Sequence, residues 1–457
     1  MRLDSGVTKQ SGFTIVAPVE ADKIAALTSL LDEIGSDIKG NRHLRLAELE
    51  KLHYASFVVF EPEGSDPFLL FEGNIDGSPR DFLEQLVAVV PAAVDLIYGH
   101  CAGYVATAAT DPVAAVRYLT SRDLGVGTLY IAWRGRDVAD ICREQELRNR
   151  LGEVLDQEAR TLAGQTPEAI RSRLRQVVEH DPSLAWARTV PPRPFLVTYG
   201  GWVFGALAAA PGLALAPLAS TAVQGPNRRR RLLARVALLI IGGLMVGAGR
   251  ARRRHEKADV LRDAARPDDW ETEYARWSGE LSHVVRRENV QGQNHLASIT
   301  QVKEGRFRLA TLRAVLGLVD GVAALISNRG DLSGIASIHF ARWVLTADKR
   351  HLIFLSNFDG SWERYLDDFI DLASEGLTAI WTNSDNRVGF PETRWLLQEG
   401  ARDEQRFKAF ARVSQAPTLA WYSAYPDLTV ENIANNRAIR EGLFGSVADP
   451  EAWLRRF

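Results

Sequence analysis

Cysteine is almost missing: Cys101 and Cys142 are the only two in 457 residues, which excludes a disulfide-stapled scaffold and fits a reducing compartment. Charge of one sign is missing too. The net charge is -2, so nothing global points to nucleic acid. There is no glycine-rich phosphate loop with its lysine, no HExxH, no paired CxxC and no nucleophile elbow, which sets aside the chemistries those motifs carry. The polar N-terminus lacks the charged-then-apolar pattern of a signal peptide, and the chain is expected to face the cytoplasm. The last absence is local. From residue 194 to 227 no charged side chain occurs.

What is present is a repeat. Leu52-His53-Tyr54-Ala55 followed by Phe71-Glu72-Gly73-Asn74-Ile75-Asp76-Gly77-Ser78 returns as Ile338-His339-Phe340-Ala341 followed by Phe354-Leu355-Ser356-Asn357-Phe358-Asp359-Gly360-Ser361. Two diverged copies of one folding unit therefore flank a segment of different composition. The boundaries read as a first repeat over residues 1–160, a helical insert over 161–292 and a second repeat over 293–457.

Each copy reads in the same order. An apolar strand (13–19, or 296–302) leads into a helical pattern, Leu27-Leu30-Leu31-Ile34 in one copy and Leu309-Leu312-Val315-Leu316 in the other. A hairpin opens at His53 or His339 and closes at the Asn-x-Asp-Gly-Ser sequence. Ser78-Pro79 and Ser361 start a helix, and Thr128 or Thr418 opens a last strand. Strand, helix, hairpin, helix, strand is the ferredoxin-like order, whose helices cover one face of an antiparallel sheet. The other face must be buried, and packing the two sheets on each other is the simplest solution. The expected class is therefore α+β, with two ferredoxin-like repeats packed as a pseudo-twofold α/β barrel.

On this element order the chain resembles the dimeric α/β barrel superfamily, which includes dye-decolourising peroxidases, chlorite dismutases and small monooxygenases. Gly73-Asn74-Ile75-Asp76-Gly77 is similar to the GxxDG motif of the dye-decolourising peroxidases. The resemblance implies a haem cofactor, a peroxidase-like oxidoreductase activity and a distal acid-base role for Asp76. Asp359 is the second copy's counterpart, although Ser356 replaces the motif's first glycine.

Other candidates come from the residues themselves. His53 and His339 begin equivalent strands, and imidazole can ligate haem iron or move protons near neutral pH. His100, in the Gly99-His100-Cys101 turn, is a third potential ligand. Arg342 follows His339 closely and could hold a carboxylate or peroxide. Each has a plainer role: the Asp-Gly positions suit a tight turn with a helix cap, and a histidine at a strand end suits a backbone hydrogen bond.

The insert suggests lipid. An uncharged stretch of about 30 Å needs roughly 20 residues, and residues 194–227 exceed that. Pro211 and Pro217 would kink or break a helix there. A second apolar run, residues 236–249, is bracketed by Arg228 to Arg231 with Arg235, and by Arg250 with Arg252 to Arg254. The expectation is a membrane-associated, transmembrane or re-entrant hairpin at about 194–249, contacting lipid from Pro194 to Arg254 on the cytoplasmic side. Function then reads as a membrane-associated barrel binding a haem-like or small lipophilic ligand between its repeats. The competing class is a non-catalytic tethered scaffold or partner-binding protein. No nucleic acid is expected, and no metal site beyond haem.

Overall fold

Period-two alternation decides both sheets. In β1 (Gln10–Pro18), β2 (Leu52–Phe60) and β3 (Phe68–Asp76), Phe13, Ile15, Phe57, Leu69 and Phe71 fall on one face. Val58, Phe60, Phe68 and Leu70 fall on the other. Both faces are apolar because both are covered. Leu27, Leu31 and Ile34 of α1 (Ile24–Ser36) and Phe82, Leu83 and Leu86 of α2 (Pro79–Val89) pack on the first face. The second meets Ala297, Ile353 and Leu355 of the other half. The half closes with β4 (Thr128–Ile131) and α3 (Val138–Gln157).

This computed structural model describes residues 9–190, 193–224, 228–279, 282–286, 288, 289, 292–327 and 330–457. Two long helices dominate the insert, α4 (Phe195–Gln224) and α5 (Arg228–Ala264). The second half follows as β5 (Gln293–Val302), α6 (Arg306–Leu325), β6 (Ile338–Leu345), β7 (His351–Asp359), α7 (Trp362–Trp381), β8 (Gln415–Ala416), β9 (Thr418–Ser423) and α8 (Val430–Phe444).

Strand order shows an exchange. One sheet runs β1-β3-β2-β9 and the other β8-β5-β7-β6-β4, all antiparallel. The chain before β4 first lies along β1, where Val16 N donates to Arg122 O at 3.0 Å and Leu124 N to Thr14 O at 2.9 Å. It then crosses to pair with β6. The second half repeats the move: β8 lies along β5, and β9 crosses to pair with β2. Each half thus gives its last strand to the other's sheet. A single bridge, Ile15 to Asp123, joins β1 to the segment that leads into β4.

The transmembrane expectation is corrected here. Among the described residues, no helix is long and apolar enough to cross a membrane. The two helices are instead tied to the second half. Gly200 of α4 lies against the backbone of α6, so close that a Cβ there would meet Leu325 O at 2.0 Å. The end of α5 is pinned by Asp259 to Lys303 and Arg308, and by Asp263 to Arg406. The backbone of α4 runs helically through Pro211 and Pro217, against the expected break. The side chains of Arg228 to Arg231 lie outside the described ones. Apolar side chains nevertheless face solvent along this arm, Trp202 at 83% and Leu239 at 75% exposure.

Candidate functional site

The hairpin between β2 and β3 pairs Leu52 with Ile75, and that register brings His53 beside Asp76. His53 Nε2 lies 3.0 Å from Asp76 Oδ1, and Val138 N, the first amide of α3, donates to Asp76 Oδ2 at 2.9 Å. The second half builds the same constellation. His339 Nε2 lies 2.8 Å from Asp359 Oδ1, and Val430 N, the first amide of α8, donates to Asp359 Oδ2 at 2.7 Å. A carboxylate at a helix N-terminus is favoured by the amides and the helix dipole there. Gln10 and Gln293 complete the likeness, each donating at 2.6 Å to a carbonyl two residues before its closing helix, Arg136 O and Leu428 O.

The two constellations meet between the sheets. The His53 ring sits 5.3 Å from Phe340, and the equivalent His339 ring sits 5.4 Å from Tyr54. Tyr425 adds a feature only to the first: its hydroxyl lies 2.7 Å from His53 Nδ1. Burial pushes the Tyr425 hydroxyl well above its ordinary pKa, with Asp76 adding to it.

Deeper between the sheets lies a second polar cluster. Arg342, fully buried, donates to Phe13 O at 2.7 Å, to Gly73 O at 3.1 Å and to Asn74 Oδ1. It faces the Glu72 carboxylate at 3.7 Å, and His295 Nε2 lies 3.3 Å from the other Glu72 oxygen. Burial alone would raise the Glu72 carboxyl; Arg342, with His295 and Asn74, outweighs it and holds the group at about 2. Burial draws the Arg342 guanidinium down against the pull of Glu72. Gly12 makes room, since a Cβ there would stand 2.7 Å from the guanidinium.

Of the residues singled out in sequence, His53 joins Asp76 and His339 joins Asp359. Arg342 binds across to the first half's β1 and β3. His100 caps its own helix end, its Nδ1 3.0 Å from Leu96 O. Sequence reasoning passed over Glu72, Gln293, His295 and Tyr425. The repeat register could have found Gln293, because Gln10 stands at the same place in the first copy.

A large cavity lies at the opposite end of the strands. It holds about 1130 Å³ and is lined by Phe60 of β2, Ile299 of β5, His351 of β7, Ala416 of β8, and Trp277 and Arg266 of the insert. All three sequence segments therefore contribute to it. Arg266 is already paired with Asp385 at 2.7 Å, and Arg387, stacked over Trp277 at 4.3 Å, with Glu63 at 3.4 Å. Burial lowers the pKa of His351, which keeps its ring neutral at neutral pH.

Compared with protein-family models, with curated proteins and with solved structures, the chain matches none. The peroxidase and haem expectation is corrected accordingly: no related protein carries either name to this chain. The geometry gives a physical reason at His53, whose Nδ1 and Nε2 are both engaged, by Tyr425 and Asp76, leaving no lone pair for iron.

Proposed function

We propose that the protein binds a small lipophilic molecule with an uncharged polar end, held between two ferredoxin-like halves that form a pseudo-twofold α/β barrel. The observation that carries this reading is the cavity of about 1130 Å³ to which both halves and the insert contribute. Its size sits just above the roughly 300–1,000 Å³ common for small-molecule sites, and its lining is about half polar, with Glu61, Gln301, Asn386 and Gln415 beside the apolar side chains. Phe60, Ile299, Ala416 and Trp277 supply the walls. An uncharged polar end suits the rest, because both arginines have carboxylate partners and the neutral His351 ring offers a hydrogen bond without a charge.

The test uses Nile red, a neutral lipophilic dye, and the emission of Trp277. Dye should bind saturably and quench tryptophan emission, and Ala416→Trp, which narrows the cavity at β8, should weaken binding while near-ultraviolet circular dichroism stays native. Dye binding that Ala416→Trp leaves unchanged overturns the cavity reading. The exposed side chains of α4 and α5 would then hold the dye, and the scaffold reading would take its place.

A further inference from the structure

Both halves build the His–Asp pair, and only one adds a phenol to it. Tyr425 stands five residues before Val430; Trp133 stands five before Val138. Trp133 Nε1 donates to Val430 O at 3.1 Å instead, while the His339–Asp359–Val430 contacts form, among the described residues, with no phenol hydroxyl bonded to His339. The tyrosine is therefore not required to build the constellation. Asp76 can only accept, so His53 Nε2 carries the proton and Nδ1 keeps a lone pair for the Tyr425 hydroxyl at 2.7 Å.

We propose that Tyr425 is a redox-active tyrosine: a one-electron oxidant takes an electron from its ring as the phenolic proton crosses to His53. The balance is explicit. The Tyr425 O–H bond breaks, an N–H bond forms at His53 Nδ1, and the products are a neutral phenoxyl radical and an imidazolium. The electron reduces the oxidant, for example an organic peroxyl radical to its hydroperoxide anion. A small thiol or phenol then loses one electron and its own proton: the electron and the His53 proton restore the Tyr425 phenol, and the donor's proton passes through solvent to the hydroperoxide anion. The Asp76 carboxylate, held by Val138 N at 2.9 Å, faces the imidazolium. Burial raises the Tyr425 pKa, which closes the route through prior ionisation and couples electron loss to the internal base. The electron has a path outward. Tyr54 lies 5.4 Å from Tyr425, and its ring stacks at 6.1 Å on the half-buried Trp421.

The experiment oxidises the full chain with flash-generated ruthenium(III) tris-bipyridine and reads electron paramagnetic resonance after freeze-quench. Ring-deuterated tyrosine identifies the radical. A tyrosyl signal is expected that disappears in Tyr425→Phe, persists in Tyr98→Phe, and forms roughly a hundredfold more slowly in His53→Gln, the scale of a lost internal base. In the unmodified chain it should form more slowly in D2O, a readout that needs no variant to fold. A signal undiminished in Tyr425→Phe, or a formation rate equal in H2O and D2O, overturns the proposal.

Discussion

Glu72 and Arg342 form a charge pair that neither half could make alone. In the repeat, Glu72 aligns with Leu355 and Arg342 with Ser56, so divergence put one charge in each copy and their packing joined them. The Glu72 carboxyl is held at about 2 when folded, against its ordinary 4.5. A depressed carboxyl stabilises the fold above the unfolded pKa, and that stability fades as pH falls from 4.5 toward 2, by about 3 kcal/mol in all. Glu72→Gln should flatten the fall in urea midpoint across that window. It should also cost about 3 kcal/mol at pH 7, because Arg342 is left buried without its carboxylate. An unchanged pH slope in Glu72→Gln would show that other groups set the acid limit. Sequence alone exposed half of this scale. His53, His339, Asp76 and Asp359 stood out because both copies kept them, and the hairpin register pairs each histidine with its aspartate. Arg342 was marked as a holder of a carboxylate, but its partner Glu72 stayed hidden, since a contact between halves leaves no local pattern and the repeat comparison shows only a mismatch.

At the level of elements, the order of strands and helices and the two hairpins were legible, and the partners of the last strands were not. Alternation and turn chemistry marked β2, β3, β6 and β7, and Ser361 caps α7 as its position suggests, accepting from Arg364 N at 3.3 Å. The crossing of β4 and β9 was not legible, because a four- or six-residue apolar strand carries no signal of which edge it joins. Composition likewise misassigned the insert. Its apolar run suggested a membrane crossing, whereas the charges that follow, at Asp259 and Asp263, fasten α5 to the second half. Among the described residues, Asp259 is the one carboxylate within ion-pair distance of both Lys303, at 3.1 Å, and the buried Arg308. Asp259→Ala should therefore cost about 3 kcal/mol, the order expected when a buried pair loses one member, and lower the urea midpoint. A midpoint unchanged by Asp259→Ala would mean that the arm contributes no stability to the body it touches.

The whole molecule is bound by its exchanged strands. Without β9, β2 becomes an open edge, and without β4 so does β6, each beside an inner face of Val58, Phe60 and Leu70 or of Ala297, Ile353 and Leu355. Exposed edges and an uncovered apolar face both favour association over independent folding. A fragment of residues 1–160 and one of residues 293–457 should each lack a cooperative thermal transition when purified alone. Mixed at equal concentration, they should regain near-ultraviolet circular dichroism and elute as one complex, since the pairings β4 with β6 and β9 with β2 need no covalent link between halves. The central pair offers an internal check on that complex. If association restores the native interior, Glu72→Gln in the first fragment should weaken it by the roughly 3 kcal/mol expected for the intact chain. A first fragment that melts cooperatively as a monomer would show that the strand exchange is an ornament of two self-sufficient domains rather than the condition of either one folding.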